Sequence, residues 1–320
     1  MAKARPTPLF DLEPSAPVVA QPAETAGNAK RPTKRTKGKK YPGALYLTDI
    51  KDDIASMEHP LFALQAGDRR VRIYERNGVR VTIMPGSDGC ATIHDKDLWL
   101  YCISLLTAQL NQGLAISPTL KFTAYDFMKA TGRDTSGRAY ERISDMMRRL
   151  KGTVVETNIA TMGKRARAGF GLIDSWQVVE RDDNDRMVAI EATLPAWLFR
   201  SVEAMQVLTL SPDYFQIRKP LDRRIYELAR KHCGTQPSWR VSLATLHEKS
   251  GSTLTLKRFR FEVRELIARN TLPDYRATFD AGPDMVMFHR KGQTELFELL
   301  AGSPLNTTAD EAATPPVAAS

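Results

Sequence analysis

Cysteine is scarce in this chain of 320 residues, and the three present, Cys90, Cys102 and Cys233, form no C-x-x-C pair. Their odd number argues against a disulfide framework, and a reducing cytoplasm is the expected compartment. No apolar run approaches eighteen residues, and the first residues carry charge and proline where an export signal has an apolar stretch, so neither membrane insertion nor export is expected. The five histidines, His59, His94, His232, His247 and His289, are isolated from one another. That spacing argues against the paired histidines that hold the metal of a DNA-nicking enzyme. No G-x-x-x-x-G-K-[ST] loop is present, so ATP hydrolysis is not expected. Asp182, Asp183 and Asp185 flank Asn184 between two strands and read as a polar turn rather than a metal site. The chain is expected to be a non-enzyme without metal or cofactor.

What the chain has in excess is positive charge. A formal charge of +9 and a pI near 9.4 favour a polyanionic partner, although charge alone does not separate nucleic acid from an anionic membrane surface. Residues 1–40 hold +6 of that charge, and residues 41–300 hold +5, so cations on the folded part must be clustered to matter. Residues 1–42, rich in Pro, Ala, Lys and Thr, and residues 301–320 have too little apolar content to offset chain entropy, so both are expected to be disordered. The run KRPTKRTKGKK at 30–40 is either a nonspecific phosphate contact or a solubilising tail.

The most informative stretch is TLTLKRFRFEVRELIARN, residues 253–270. Leu256, Phe259, Val263, Leu266 and Ile267 recur at three- and four-residue spacing and make one buried stripe. Lys257, Arg260 and Arg264 recur on the other side with Phe261 among them, while Arg258 precedes Glu262 by one turn and can pair with it. Before this helix, residues 243–249 form a short helix, Gly251 supplies the left-handed turn, and Ser252 or Thr253 is expected to cap the long helix. The pattern is that of a helix-turn-helix, whose second helix can enter a major groove. An ordinary helical hairpin with a solvated basic face has the same pattern.

A second copy of the pattern weighs against that plainer reading. In residues 123–152 a short helix at 124–130, a glycine turn and a long helix at 135–150 repeat the form at an offset of 120 residues. Ala139 falls on Phe259, Ile143 on Val263, Met146 on Leu266 and Met147 on Ile267. Each long helix is succeeded by strand signals: 153–159 and 170–179 around GKRARAG in the first copy, and 275–280 and 285–290 around AGPD in the second. A three-helix unit with a β-hairpin is a winged helix. The first wing tip would then carry Lys164, Arg165 and Arg167, which either reach phosphate or form a solvated loop.

The remaining elements are an Asn77-Gly78 hairpin between VRIYE and VTIMP, a helix over 95–111 that buries Cys102, a strand at 187–193, a helix at 194–204 opened by Pro195, and a helix at 220–233 closed by Gly234. Arg223, Arg224, Arg230 and Lys231 crowd that last helix, although a basic final turn also suits its dipole. The fold class is therefore α+β, with two tandem winged-helix domains at 65–205 and 206–298.

The wording of LSPDYFQIRKPLDRRIYELARKHCG (210–234), WRVSLATLHEKSGS (239–252), KRFRFEVREL, LPDYRATFD, MVMFHRKG and YERISDMMRRLKGT resembles the plasmid replication initiator protein A (RepA) family. The likeness covers roughly residues 65–295. It implies binding of repeated double-stranded DNA at a plasmid origin, help in opening the duplex, and recruitment of the host initiator and helicase machinery, with a homodimer possible. By that analogy Lys257, Arg260 and Arg264, with Arg258 and Phe261, are the DNA-contact candidates of the second unit. Arg133, Arg138, Arg142, Lys164, Arg165 and Arg167 are those of the first. A transcriptional regulator or partition protein built from the same modules is the alternative, because fold does not fix function.

Overall fold

The computed structural model describes residues 47, 49–76, 78–158, 168–181, 187–234 and 236–292. The terminal stretches expected to be disordered lie outside these residues, as do Lys164, Arg165, Arg167 and the 182–186 turn.

The order begins with β1 (Ile50–Asp53), α1 (Ile54–Glu58) and the hairpin β2 (Arg72–Arg76) and β3 (Val79–Met84). It continues with α2 (Asp97–Asn111), β4 (Thr119–Thr123), α3 (Ala124–Ala130), α4 (Gly137–Gly152), β5 (Val154–Thr157), β6 (Ala168–Gly171), β7 (Ser175–Arg181), β8 (Met187–Thr193), α5 (Ala196–Glu203) and β9 (Val207–Leu210). A 3-10 turn (Pro212–Gln216) leads to α6 (Pro220–Cys233), β10 (Ser238–Ser242), α7 (Leu243–Ser250), α8 (Leu256–Arg269), β11 (Tyr275–Asp280) and β12 (Met285–Arg290). The chain is thus a mixed α and β protein.

The repeat seen at an offset of 120 residues extends through whole units. The segment α2-β4-α3-α4-β7-β8 closes a three-stranded antiparallel sheet in the order β4-β8-β7, and α6-β10-α7-α8-β11-β12 closes another in the order β10-β12-β11. In both, the strand before the short helix pairs with the last strand of the hairpin. Three of the four paired stripe positions agree: Ala139, Ile143 and Met146 are buried in α4 as Phe259, Val263 and Leu266 are in α8, whereas Met147 is buried and Ile267 only half-buried, and Leu256, expected on the same stripe, is exposed.

One expectation is corrected. The hairpin expected as the first wing, from 153–159 and 170–179, is divided between two sheets. β5 and β6 join β2 and β3 in the order β2-β3-β5-β6, and the hairpin matching β11-β12 is β7-β8. The cause lies at the end of α4. The backbones of Gly152 and Gly86 touch so closely that a Cβ on Gly86 would sit 2.9 Å from Gly152 Cα, and this contact delivers β5 alongside β3. Lys164, Arg165 and Arg167, expected at the tip of the first wing, fall in sequence between β5 and β6, outside the described residues. Asp182, Asp183 and Asp185 fall in sequence between β7 and β8, likewise outside the described residues.

α2 sits at the centre. Every residue from Asp97 to Thr107 is buried, where the sequence suggests a single apolar stripe, because two cores flank the helix. Trp99 and Tyr101 pack into the first core with Phe122, Phe127 and Ile143, while Leu100 faces the second with Tyr214, Tyr226 and Phe259. Cys90, Cys102 and Cys233 are buried free thiols, and burial pushes Cys102 up to about 12, which fits packing rather than reactivity.

Residues 47–64, outside either expected unit, supply part of the second core. β1 pairs antiparallel with β9, Ile50 opposite Leu210, and Ile50 and Met57 pack among the second core's residues. Behind β1 lies a buried ionic seam. Lys96 Nζ stands 2.7 Å from Asp52 Oδ2 and 3.0 Å from Glu227 Oε1. Arg224 pairs with Glu227 at 3.1 Å and donates to the carbonyls of Ser56, Met57, Glu58 and Lys249. Arg223 pairs with Asp97 at 2.5 Å and donates to Ile217 O at 2.7 Å. These two arginines lie in the first turns of α6, buried, and their bonds hold the units together. Two carboxylates share one ammonium at Lys96. Burial pushes Asp52 up to about 7 against the pull of Lys96, whereas Lys96 and Arg224 overcome burial at Glu227 and hold it below the usual range.

Among the described residues no helix is long and apolar enough to cross a membrane.

Candidate nucleic-acid interface

The second unit's helix pair is set by hydroxyl groups and one glycine. Ser242 Oγ accepts from Thr245 N at 3.1 Å to start α7, and Gly251 ends it in the left-handed region at φ 68°. A side chain at Gly251 would be strained twice over, because its Cβ would also lie 2.6 Å from Pro60 Cβ. The turn then runs on local bonds: Ser252 N donates to Ser250 Oγ, Leu254 N to Ser252 Oγ, and His247 Nε2 meets Leu254 O at 2.8 Å. The cap of α8 is Thr255, whose Oγ1 accepts from Arg258 N, not Ser252 or Thr253 as the sequence suggests. Those two hydroxyl residues are used in the turn, so the helix starts later.

Once Phe259, Val263 and Leu266 are buried, the opposite face of α8 is fixed by the helical period. Lys257 and Arg264 are exposed and form no hydrogen bond or ion pair among the described residues. Arg264 lies over the Phe279 ring of β11 at 4.8 Å, a cation–π contact that restrains its planar fork without using a hydrogen-bond partner. Phe261 is 50% exposed, with Arg258 over its ring at 4.7 Å. Arg258 also pairs with Glu262 at 2.7 Å, as its spacing suggests. Arg260 is different from its neighbours. It bonds both carboxylate oxygens of Asp284, in the turn between β11 and β12.

The equivalent helix of the first unit, α4, also leaves two cations free, and its other cations are bonded. Arg133 is turned inward to Asp97 at 2.8 Å and stacks on Phe127. Arg148 pairs with Asp88 at 3.1 Å and with Asp145, and Arg149 makes two bonds to Asp95, at 2.9 and 2.7 Å. Only Arg138 and Arg142 of this unit's described candidates are exposed without a hydrogen bond or ion pair among the described residues. The structure therefore brings Lys257, Phe261 and Arg264 together on one open face and takes Arg133 and Arg260 into internal pairs. Arg218, exposed and without an ion pair among the described residues just before α6, was not among the residues singled out from the sequence. An isolated arginine in a linker carries no pattern to find it by.

A family model described as replication initiator protein A matches residues 51–277, from β1 into β11. The chain belongs to that family. It is 43% identical over 248 residues to a putative replication protein of Wigglesworthia glossinidia brevipalpis, which covers 77% of this chain and 90% of that one. Among solved structures, a selenomethionine derivative of domains 2 and 3 of RctB superposes with a TM-score of 0.50 at 12% identity, over 71% of this chain and 92% of that chain. A second structure of RctB domains 2–3 aligns with a TM-score of 0.49 at 14% identity, over 76% and 99% of the two chains. At such identities the RctB likeness is one of fold. The family match takes in the first unit and the second as far as the start of β11.

Proposed function

We propose that this chain starts plasmid replication by binding repeated double-stranded DNA at the origin through two winged-helix units, with α8 as the helix that enters the major groove. On this reading β11-β12 and β7-β8 are the wings. Bound in tandem, the units help open the duplex and bring in the host initiator and helicase machinery. The protein works as a cytoplasmic binder without chemistry of its own.

The reading rests chiefly on one contrast: α8 sets unpaired Lys257 and Arg264 beside the exposed ring of Phe261, whereas no exposed aromatic side chain accompanies Arg138 and Arg142 on α4. Free guanidinium and ammonium groups at a helix surface can serve both phosphate and base edges.

The test is a binding series with the purified protein on its replicon's repeat DNA and on scrambled DNA, across salt, with Arg264→Ala alongside. Preference for the repeats that the variant loses supports the proposal. Equal, steeply salt-dependent binding to both DNAs would reduce the protein to a nonspecific binder and remove α8 as the reader. Maintenance of a minimal plasmid, with the gene driven from an unrelated promoter, separates an initiator from a regulator. A regulator would be dispensable there.

A further inference from the structure

A cavity of about 340 Å³ opens where the two units meet, between the start of α2, the α3–α4 turn and the linker into α6. Four arginines line it: Arg133 and Arg142 from the first unit, Arg218 and Arg223 from the second. Two carboxylates accompany them, and neither is free. Asp97 is divided between Arg133 and Arg223, so one negative charge serves two cations. Asp134 accepts from the backbone N–H of Ser136 at 3.1 Å and from its hydroxyl, and lies within the field of Arg142.

That leaves a surplus of two positive charges at the rim. Arg142 and Arg218 are exposed and form no hydrogen bond or ion pair among the described residues, and the Nε of Arg133 is buried without an acceptor. Guanidinium groups crowded together repel one another, and a multiply charged anion between them removes that repulsion while accepting paired N–H bonds. The volume falls within the roughly 300–1,000 Å³ of small-molecule sites.

We propose that this cleft binds a phosphate group, gripped by Arg142 of the first unit and Arg218 of the second. The phosphate comes either from the DNA backbone or from a free phosphate such as that of a nucleotide. Only the first source rests on the proposed DNA binding. Because the two gripping arginines belong to different units, an occupied cleft fastens one unit to the other.

Two measurements on the full chain decide this, each made with wild type, Arg218→Ala, Arg142→Ala and Arg264→Ala. One is the melting temperature in millimolar inorganic phosphate against chloride at matched ionic strength. The other is the salt dependence of binding to the repeat duplex. If the source is DNA, Arg218→Ala and Arg142→Ala each lower the log–log salt slope by about one while phosphate leaves the melting temperature unmoved. If the source is a free phosphate, phosphate raises the melting temperature of wild type and of Arg264→Ala but not of the two cleft variants, and the salt slopes stay together. Cleft variants indistinguishable from wild type in both measurements would overturn the proposal. Loss of DNA preference in Arg264→Ala alone would then leave the proposed DNA binding standing without the cleft. Both cleft arginines are exposed, so alanine at either is compatible with the fold, and circular dichroism checks it.

Discussion

The guanidinium of Arg260 forks across both carboxylate oxygens of Asp284, at 3.1 and 2.9 Å, and so fastens α8 to the turn of the β11-β12 hairpin. An arginine used in this way orients the hairpin against the helix and is not free for DNA. Arg260→Ala and Asp284→Ala are therefore expected to alter binding to the repeats in the same direction, and the double variant to be no worse than either single one. A double-mutant cycle on the repeat duplex measures this, and independent effects would show that Arg260 contacts DNA directly.

Arg264→Ala should behave otherwise. If Arg264 reads a base, the variant loses roughly 1–3 kcal/mol on the repeat duplex and little on random DNA. Lys257→Ala, by contrast, should weaken both DNAs alike and lower the salt slope by about one, as a phosphate contact does. Titrations of both variants on both duplexes separate the two roles.

Among the described residues, Lys96 is the only ammonium between Asp52 and Glu227. Its replacement by Met strands two buried carboxylates, and the expected loss is about 3–5 kcal/mol in denaturant unfolding. A loss under about 1 kcal/mol would mean that water or a proton already screens the pair.

The same triad gives a pH dependence whose sign is set by Asp52. Its folded-state pKa is raised, by burial first, from an ordinary 3.8 to about 7. A group raised on folding stabilises the folded state fully below its unfolded pKa, and that contribution disappears as pH climbs through the folded value. The pKa of Glu227 is depressed, so its contribution falls away on the acid side instead. Between about pH 5 and pH 8 wild-type stability should therefore decline, and Asp52→Asn should flatten the decline. Parallel curves for the two proteins would locate the titration elsewhere.

Gly251→Ala combines a left-handed backbone with a clash at Pro60, and a loss of roughly 1–3 kcal/mol is expected. Thermal unfolding gives the value. An unchanged melting temperature would mean that the α7–α8 turn has another conformation open to it.

Much of this architecture was legible because it is written in local periods. The stripe Phe259, Val263 and Leu266, its echo in Ala139, Ile143 and Met146, and the Asn-Gly hairpin all depend on residues within a turn or two of one another. What escaped depends on distant partners. Strand signals at 154–157, 168–171 and 175–181 carry no mark of which sheet each joins; the first two join the sheet of β3 through contacts with distant residues, among them the close approach of Gly152 to Gly86, and the third pairs with β8. IKDD at β1 reads as polar, and its burial is set by Lys96 and Glu227. In the interface the candidate helix was visible, but the pairing of Arg260 with Asp284 and of Arg133 with Asp97 depends on neighbours 24 and 36 residues away in the chain.

The pairing of β1 with β9 also sets a timetable for synthesis. Leu210 comes 160 residues after Ile50, so at about 5–20 residues per second β1 leaves the ribosome roughly 10–30 s before its partner exists. During that interval Ile50, Met57 and Leu100 belong to a core whose other wall has yet to be made. The first unit can settle early. The second is completed by a segment that has been waiting since the start of translation, so a fragment cut at the boundary between the units would lack a strand.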